Sequence, residues 1–211
     1  MAKAWAFFLA TACVALFLVF VIAPDSLFAR NINEYKDTIS DSAPLSPSNH
    51  TLSFKIGTDV SPGGYIEITP PAGFETLSTS TFAAERNVEL YINGVPRDSG
   101  SVLSASSDLV EIFAGTPGMI RYTLNTTSGL TAGQNLELRI GNHTSESLDF
   151  SQSFSTTTGT TTVEADVPPI INDSTIGTKK VRVEVYDGGL VADASFSIAL
   201  VNRVGFGPLD T

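Results

Sequence analysis

From Thr51 onward, the apolar residues of this chain fall at every second position, and that period excludes most folds. Leu52, Phe54 and Ile56 alternate with Ser53 and Lys55, and Ile66 and Ile68 alternate with Glu67 and Thr69. The same pattern returns at Val88, Leu90 and Ile92, at Ile120, Tyr122 and Leu124, and at Leu136, Leu138 and Ile140. It closes with Val181, Val183 and Val185 and then Phe196, Ile198 and Leu200. Successive side chains of a strand point to opposite faces, so each run puts one face on a core and the other in water. With 109–114, 148–155 and 160–165 added, roughly ten strands are predicted, at the spacing of a sandwich. The fold class is therefore all-β: an antiparallel β-sandwich of the Ig-like or Greek-key type, preceded by an N-terminal hydrophobic helix.

Turn residues punctuate the strands. Ser61-Pro62-Gly63-Gly64, Pro70-Pro71-Ala72-Gly73, Gly115-Thr116-Pro117-Gly118 and Asp187-Gly188-Gly189 all read as turns. Asn93-Gly94 is a hairpin signal, because both residues tolerate positive φ. Its partner Val95-Pro96-Arg97 contains proline and so reads as a short edge. If consecutive strands pair as hairpins, Lys55 opposes Glu67 and Arg121 faces Glu137 on the wet faces. Three segments, 51–69, 119–140 and 179–201, share the plan strand, Gly-bearing loop, strand; any series of antiparallel hairpins produces such a likeness. Ile32, Tyr35 and Ile39 have helical spacing and predict one or two helical turns, and 82–86 predicts another. The domain plan is 1–29 as an export segment, 30–50 as a leader and linker with extended prolines, and 51–211 as one sandwich. A break near 101–108 would divide it into two halves, but no linker-like stretch interrupts 51–201.

Ala4–Ala23 is an uncharged apolar run preceded by Lys3. It serves either as a signal peptide cut after Ala29 or as an uncleaved anchor with its amino terminus inside the cell. Both outcomes export residues 30–211. The chain has one cysteine, Cys13, inside that run, so no disulfide supports the exported part. Ala10-Thr11-Ala12 before Cys13 is a poor lipidation signal, and the apolar run lacks the Glu of a pilin-type signal. No second apolar span or sorting motif follows, which leaves any membrane contact to residues 4–23.

The net charge of −10 and the absence of a basic stripe argue against nucleic acid as a partner. An acidic surface keeps an exported domain soluble. The two histidines lie in repeated tripeptides, Asn49-His50-Thr51 and Asn142-His143-Thr144. Two ligands without HxH or HExxH spacing do not make a metal site. These tripeptides, Asn125-Thr126-Thr127 and Asn172-Asp173-Ser174 are also glycosylation sequons. Asp166, Asp173 and Asp187 fall in loops but form no calcium-loop motif. There is no GxSxG and no pair of carboxylates marked for glycoside hydrolysis. Tyr65, Tyr91 and Tyr186 could form a sugar-binding platform, or could simply pack across strands. No catalytic, cofactor-binding or metal-binding residue is assigned.

Ser48–Phe54, Gly63–Phe74, Arg139–Thr144 and Val204–Asp210 resemble segments of uncharacterised secreted β-sandwich proteins of candidate-phylum (Parcubacteria-type) bacteria. The resemblance covers most of 30–211. It implies an export signal and an extracellular β domain, and brings neither an activity nor site residues. The function expected is that of an exported, non-enzymatic cell-surface or secreted protein, structural or adhesive. The alternative is a carbohydrate-binding or carbohydrate-active module. The partner expected is an unidentified extracellular or envelope component, with a glycan or the protein itself as candidates, and no cofactor is expected.

Overall fold

The computed structural model describes residues 31–77, 87–141, 152–156, 159–163 and 170–202. The apolar run 4–23, the helical turn expected at 82–86, and His143 lie outside them. Fifteen strands, most of them short, make up the described chain. One sheet takes β1 (Ile32–Ile39), β2 (His50–Ile56), β10 (Asn135–Ile140), β5 (Val88–Ile92) and β6 (Val95–Pro96), in that order. The other takes β15 (Leu190–Leu200), β14 (Gly177–Tyr186), β3 (Tyr65–Thr69), β9 (Met119–Thr123), β8 (Asp108–Phe113) and β7 (Ser99–Gly100). Among the described residues, only β7 and β8 pair in parallel. Two small ribbons complete the set: β11 (Gln152–Thr156) with β12 (Gly159–Val163), and β4 (Glu75–Thr76) with β13 (Ile170–Ile171).

One apolar cluster holds the two sheets together. Leu52, Phe54, Leu90 and Leu138 enter it from the first sheet, and Ile66, Ile120, Val183 and Phe196 from the second. All are inward members of the alternating runs, so period two sets their burial. The Asn93-Gly94 turn adopts positive φ at both residues, 51° and 82°, and joins β5 to the proline-bearing edge β6.

The expected pairings of β2 with β3 and of β9 with β10 are wrong. β2 and β3 lie in opposite sheets, and so do β9 and β10. Lys55 therefore meets Glu34 (2.5 Å), not Glu67, and Arg121 meets Glu67, not Glu137. The connections 57–64 and 124–134 are too long for tight turns and arch from one sheet to the other. The two arches are zipped together. Val60 and Leu130 exchange backbone hydrogen bonds of 2.9 and 2.8 Å, and Leu124 N–H donates to Gly64 O at 2.8 Å. A Cβ on Gly129 would lie 1.9 Å from Val60 O, so only glycine lets the arches approach this closely.

The arches also turn the faint sequence likeness into a geometric one. Val60 aligns with Leu130, Gly63 with Gly133 and Glu67 with Glu137, an unbroken offset of 70 residues. Gly63 and Gly133 have φ of 82° and 83°. Gly64 N–H bonds Ser61 O and Gln134 N–H bonds Thr131 O, giving the same turn twice. By contrast, 179–201 is a true hairpin turning at 187–189.

Residues 32–39 form a strand rather than helical turns. The register of β1 on β2 slips between Asn33 and Lys36, and Glu34 has φ 51°. A bulge adds a residue to one strand and stretches the apolar spacing from two toward three, which is why Ile32, Tyr35 and Ile39 resemble a helical face.

Candidate functional site

The outward side chains of the six-stranded sheet form rows across it. Asp193, Glu184, Glu67, Arg121 and Glu111 are neighbours along one row. Arg121 donates from Nε (2.9 Å) and Nη2 (2.7 Å) to Glu67 Oε1. This bonding raises its pKa against the opposing cost of burial. Arg182 Nη2 lies 2.7 Å from Glu184 Oε1. In the next row Tyr65 and Tyr186 stack, with centroids 4.7 Å apart and planes 15° from parallel. The Arg121 guanidinium lies 4.9 Å from the Tyr65 centroid and 5.5 Å from that of Phe113. Burial, followed by the charge of Glu184, pushes the Tyr186 phenol up. Tyr65 is thus held between Tyr186 on one neighbouring strand and Arg121 on the other.

The five-stranded sheet carries a shallower version of the same device. Arg139 Nε donates to Glu137 Oε1 at 2.7 Å, and its guanidinium lies 4.1 Å from the Tyr91 centroid. A cavity of about 240 Å³ opens here, lined by Glu34, Lys55, Tyr91, Asn135, Glu137 and Arg139. Of the three tyrosines singled out in the sequence, two are brought together and Tyr91 lies on the other outer face. Glu67 and Glu137 occupy equivalent places on β3 and β10, the strands that follow the two arches, each with a guanidinium and a tyrosine ring beside it. The offset of 70 residues was the available signal for that correspondence.

The remaining candidates have local roles. Asp187 accepts hydrogen bonds from Ser61 N–H (3.1 Å) and Ser61 Oγ (3.0 Å), tying the first arch to the β14–β15 turn. Asp173 accepts from Thr175 N–H, Thr175 Oγ1 and Lys179 Nζ. The Lys179 bond, then that of the Thr175 hydroxyl, holds its carboxyl far below the usual range. Gly73 makes room for it, since a Cβ there would come within 2.5 Å of the carboxyl carbon. Asp166 lies outside the described residues. No group of three or more His, Cys, Asp or Glu side chains is arranged to hold a metal among the described residues. Of the sequon asparagines, Asn125 is buried with Oδ1 accepting from Thr127 N–H (3.1 Å) and Ser128 N–H (2.7 Å). Asn172 is buried too, its amide donating to the carbonyls of Asp41 (2.8 Å) and Ala43 (2.9 Å). Both side chains are committed to the fold.

Two interior polar clusters remain; Arg97, Asp108 and Asp37 had no marker in the sequence, and His50 stood out only as one of two histidines. Asp108 is fully buried on β8 and accepts from Arg97 Nε (2.5 Å), Arg97 Nη2 (2.7 Å), Tyr122 Oη (2.8 Å) and Asn125 N–H (2.6 Å). Hydrogen bonding to Asp108 raises the Arg97 pKa, and burial, then the Asp108 charge, drives the Tyr122 phenol upward. His50 Nδ1 lies 2.8 Å from Asp37 Oδ2, with both side chains buried. Asp37 Oδ1 and His50 Nε2 find no hydrogen-bond partner among the described residues.

No family model matches the chain, and no curated protein matches it either. Among solved structures, it is similar to a bacterial hydrophobin, BslA, at 15% identity and TM-score 0.39, covering 83% of this chain and 97% of that one. It is also similar to the collagen-binding domain of a Staphylococcus aureus adhesin, at 11% identity and TM-score 0.35, covering 80% of this chain and 97% of that one. Neither likeness is close enough to carry a function across. No helix among the described residues is long and apolar enough to cross a membrane.

Proposed function

We propose that this is an exported, non-enzymatic β-sandwich of the cell surface or the secreted space, with a structural or adhesive role. The observation that carries the reading is how the outer faces are built. Their aromatic and charged side chains are engaged by neighbours on adjacent strands: Tyr65 by Tyr186 and Arg121, Glu67 by Arg121, Tyr91 by Arg139. Such faces are rigid surfaces that present charge and ring edges, rather than clefts that assemble a nucleophile with a base. The crossing arches favour an Ig-like, Greek-key variant of the sandwich. The apolar run 4–23 supports export, and anchoring if it is retained.

Protease shaving of intact cells expressing the full chain tests the location. Release of fragments from the 51–202 region is expected; full protection while the cells stay intact would overturn the reading. A carbohydrate-binding role draws support from the cavity beside Tyr91, because the Tyr65 ring is already engaged by Tyr186 and Arg121. A glycan array probed with the wild type and Tyr91→Ala checks it, with loss of signal in the variant expected if sugars bind there.

A further inference from the structure

The two main sheets end in four edges, and three are closed to further strands. β6 is two residues long and contains Pro96. β7 is also two residues long. β1 carries a bulge, a positive φ at Glu34 and the charged side chains of Glu34 and Lys36. Shortness, proline, bulges and charge are the devices by which edge strands avoid pairing. β15 is the least protected: its one bulge lies at its start, where the register on β14 skips Val191, and its one charged side chain is Asp193. It runs for eleven residues without Pro, Lys or Arg, and pairs with β14 in unbroken register from Gly177↔Leu200 to Val185↔Ala192. Beyond Asp193 its outward side chains are Ser195, Ser197 and Ala199, all small and exposed. A groove of about 330 Å³ follows the strand, lined by Ile32, Tyr35, Lys180, Asp193, Ser195 and Ser197. It also reaches Ala194, which belongs to the inner face, so it wraps the edge of β15 instead of lying on one face.

We propose that β15 pairs antiparallel with β15 of a second copy, about a two-fold axis at Ser195, joining two six-stranded sheets into one. Two-fold pairing makes the contact self-complementary, and strand addition supplies main-chain hydrogen bonds along the regular stretch from Ala192 to Ile198. The register follows from size and charge. With Ser195 opposite itself, Ala194 opposes Phe196 and Ala192 opposes Ile198, small against large, on the inner face. On the outer face Asp193 opposes Ser197, and Ser197 is the β15 neighbour of Lys180. Lys180, Ser197 and Asp193 of the second copy then share one row, and the lysine reaches across a small serine to the carboxylate. The two-fold repeats this contact. Moving the axis to Phe196 would bring two large rings together and place Asp193 opposite Ala199, whose β14 neighbour is the uncharged Thr178.

The test is cysteine cross-linking of the full-length chain carrying Cys13→Ser, purified in detergent. Residues directly opposite in an antiparallel pair lie about 4.5–5.5 Å apart at Cα, within disulfide reach. Mild oxidation is expected to convert most of the Ser195→Cys variant to a covalent dimer, and at least five-fold less of Ser197→Cys, which faces Asp193. Equal yields from the two variants, as the leader or random collision would produce, overturn the proposal, and so does the absence of cross-linking in both. Lys180→Glu should lower the Ser195→Cys yield, and adding Asp193→Lys should restore it; failure of that rescue overturns the register. A chain without these cysteines that sediments as a monomer at every concentration, or that recruits only unrelated extended peptides, also overturns it.

Discussion

Asp108 and Asp37 are both carboxylates buried in one sandwich, and they are treated in opposite ways. Asp108 accepts four donors from a guanidinium, a phenol and a backbone amide. Asp37 has one histidine, and each partner keeps a buried atom with nothing to bond among the described residues. The difference lies in what surrounds each group. Asp108 opens β8 where the loops 97–107 and 124–128 converge, and loops bring donors that no ladder has consumed. Asp37 and His50 face each other across the paired strands β1 and β2, where no loop among the described residues brings further donors to them. A buried charge stabilises a fold only when its remaining lone pairs and protons are met; otherwise apolar groups of the same size serve as well.

The sharpest way to break the comparison is Asp108→Ala. It strands Arg97 and Tyr122 and should cost about 3–5 kcal/mol in urea unfolding, near the limit for a single substitution. Asp37→Leu should cost about 1–3 kcal/mol, because it leaves His50 buried alone. Asp37→Leu with His50→Leu should recover that loss and come within about 1 kcal/mol of the wild type. A double variant as unstable as Asp108→Ala would erase the difference between the two carboxylates. Asp173 falls between the two cases, charged and fully partnered but near the surface. Its folded-state pKa is depressed by Lys179 and Thr175, so its stabilisation is present above the unfolded value of about 4 and is lost as pH falls toward the folded one. Asp173→Asn should cost less than about 2 kcal/mol at neutral pH, and the two stability curves should converge on acidification. The smallest effect is expected at Glu67→Gln, on a wetter face, at less than about 1 kcal/mol by thermal melting.

Period two made the strands and most of the core legible: Leu52, Phe54, Ile66, Ile120, Leu138 and Val183 are inward as expected. Which sheet each strand joins was not legible, because alternation says which face is apolar and not which neighbour is bonded. Lys55 and Glu67 are twelve residues apart with turn residues between them, the pattern of a hairpin and of an arch alike. Only the length of 57–64 hinted at crossing. The bulge in β1 disguised a strand as a helix by lengthening its apolar period. The Asp108 cluster left no mark, since its partners lie 11, 14 and 17 residues away, on separate elements and in no repeating order. Tyr65 and Tyr186 were visible as outward aromatics, but their stacking depends on β3 and β14 being neighbours across more than half of the chain.

The zipped arches have a kinetic consequence. Val60 cannot find Leu130 until both connections have formed, and β2 cannot pair with β10 until about eighty residues of chain have closed a loop. Topologies dominated by such distant pairings fold in roughly milliseconds to seconds, whereas helical bundles of similar size take microseconds. β3 has no early hairpin to commit it, since its partners β9 and β14 both lie far away in sequence, and β2 has only β1 close by. On the exported reading, that slowness helps: a polypeptide that hesitates before collapsing stays extended long enough to be threaded through a pore.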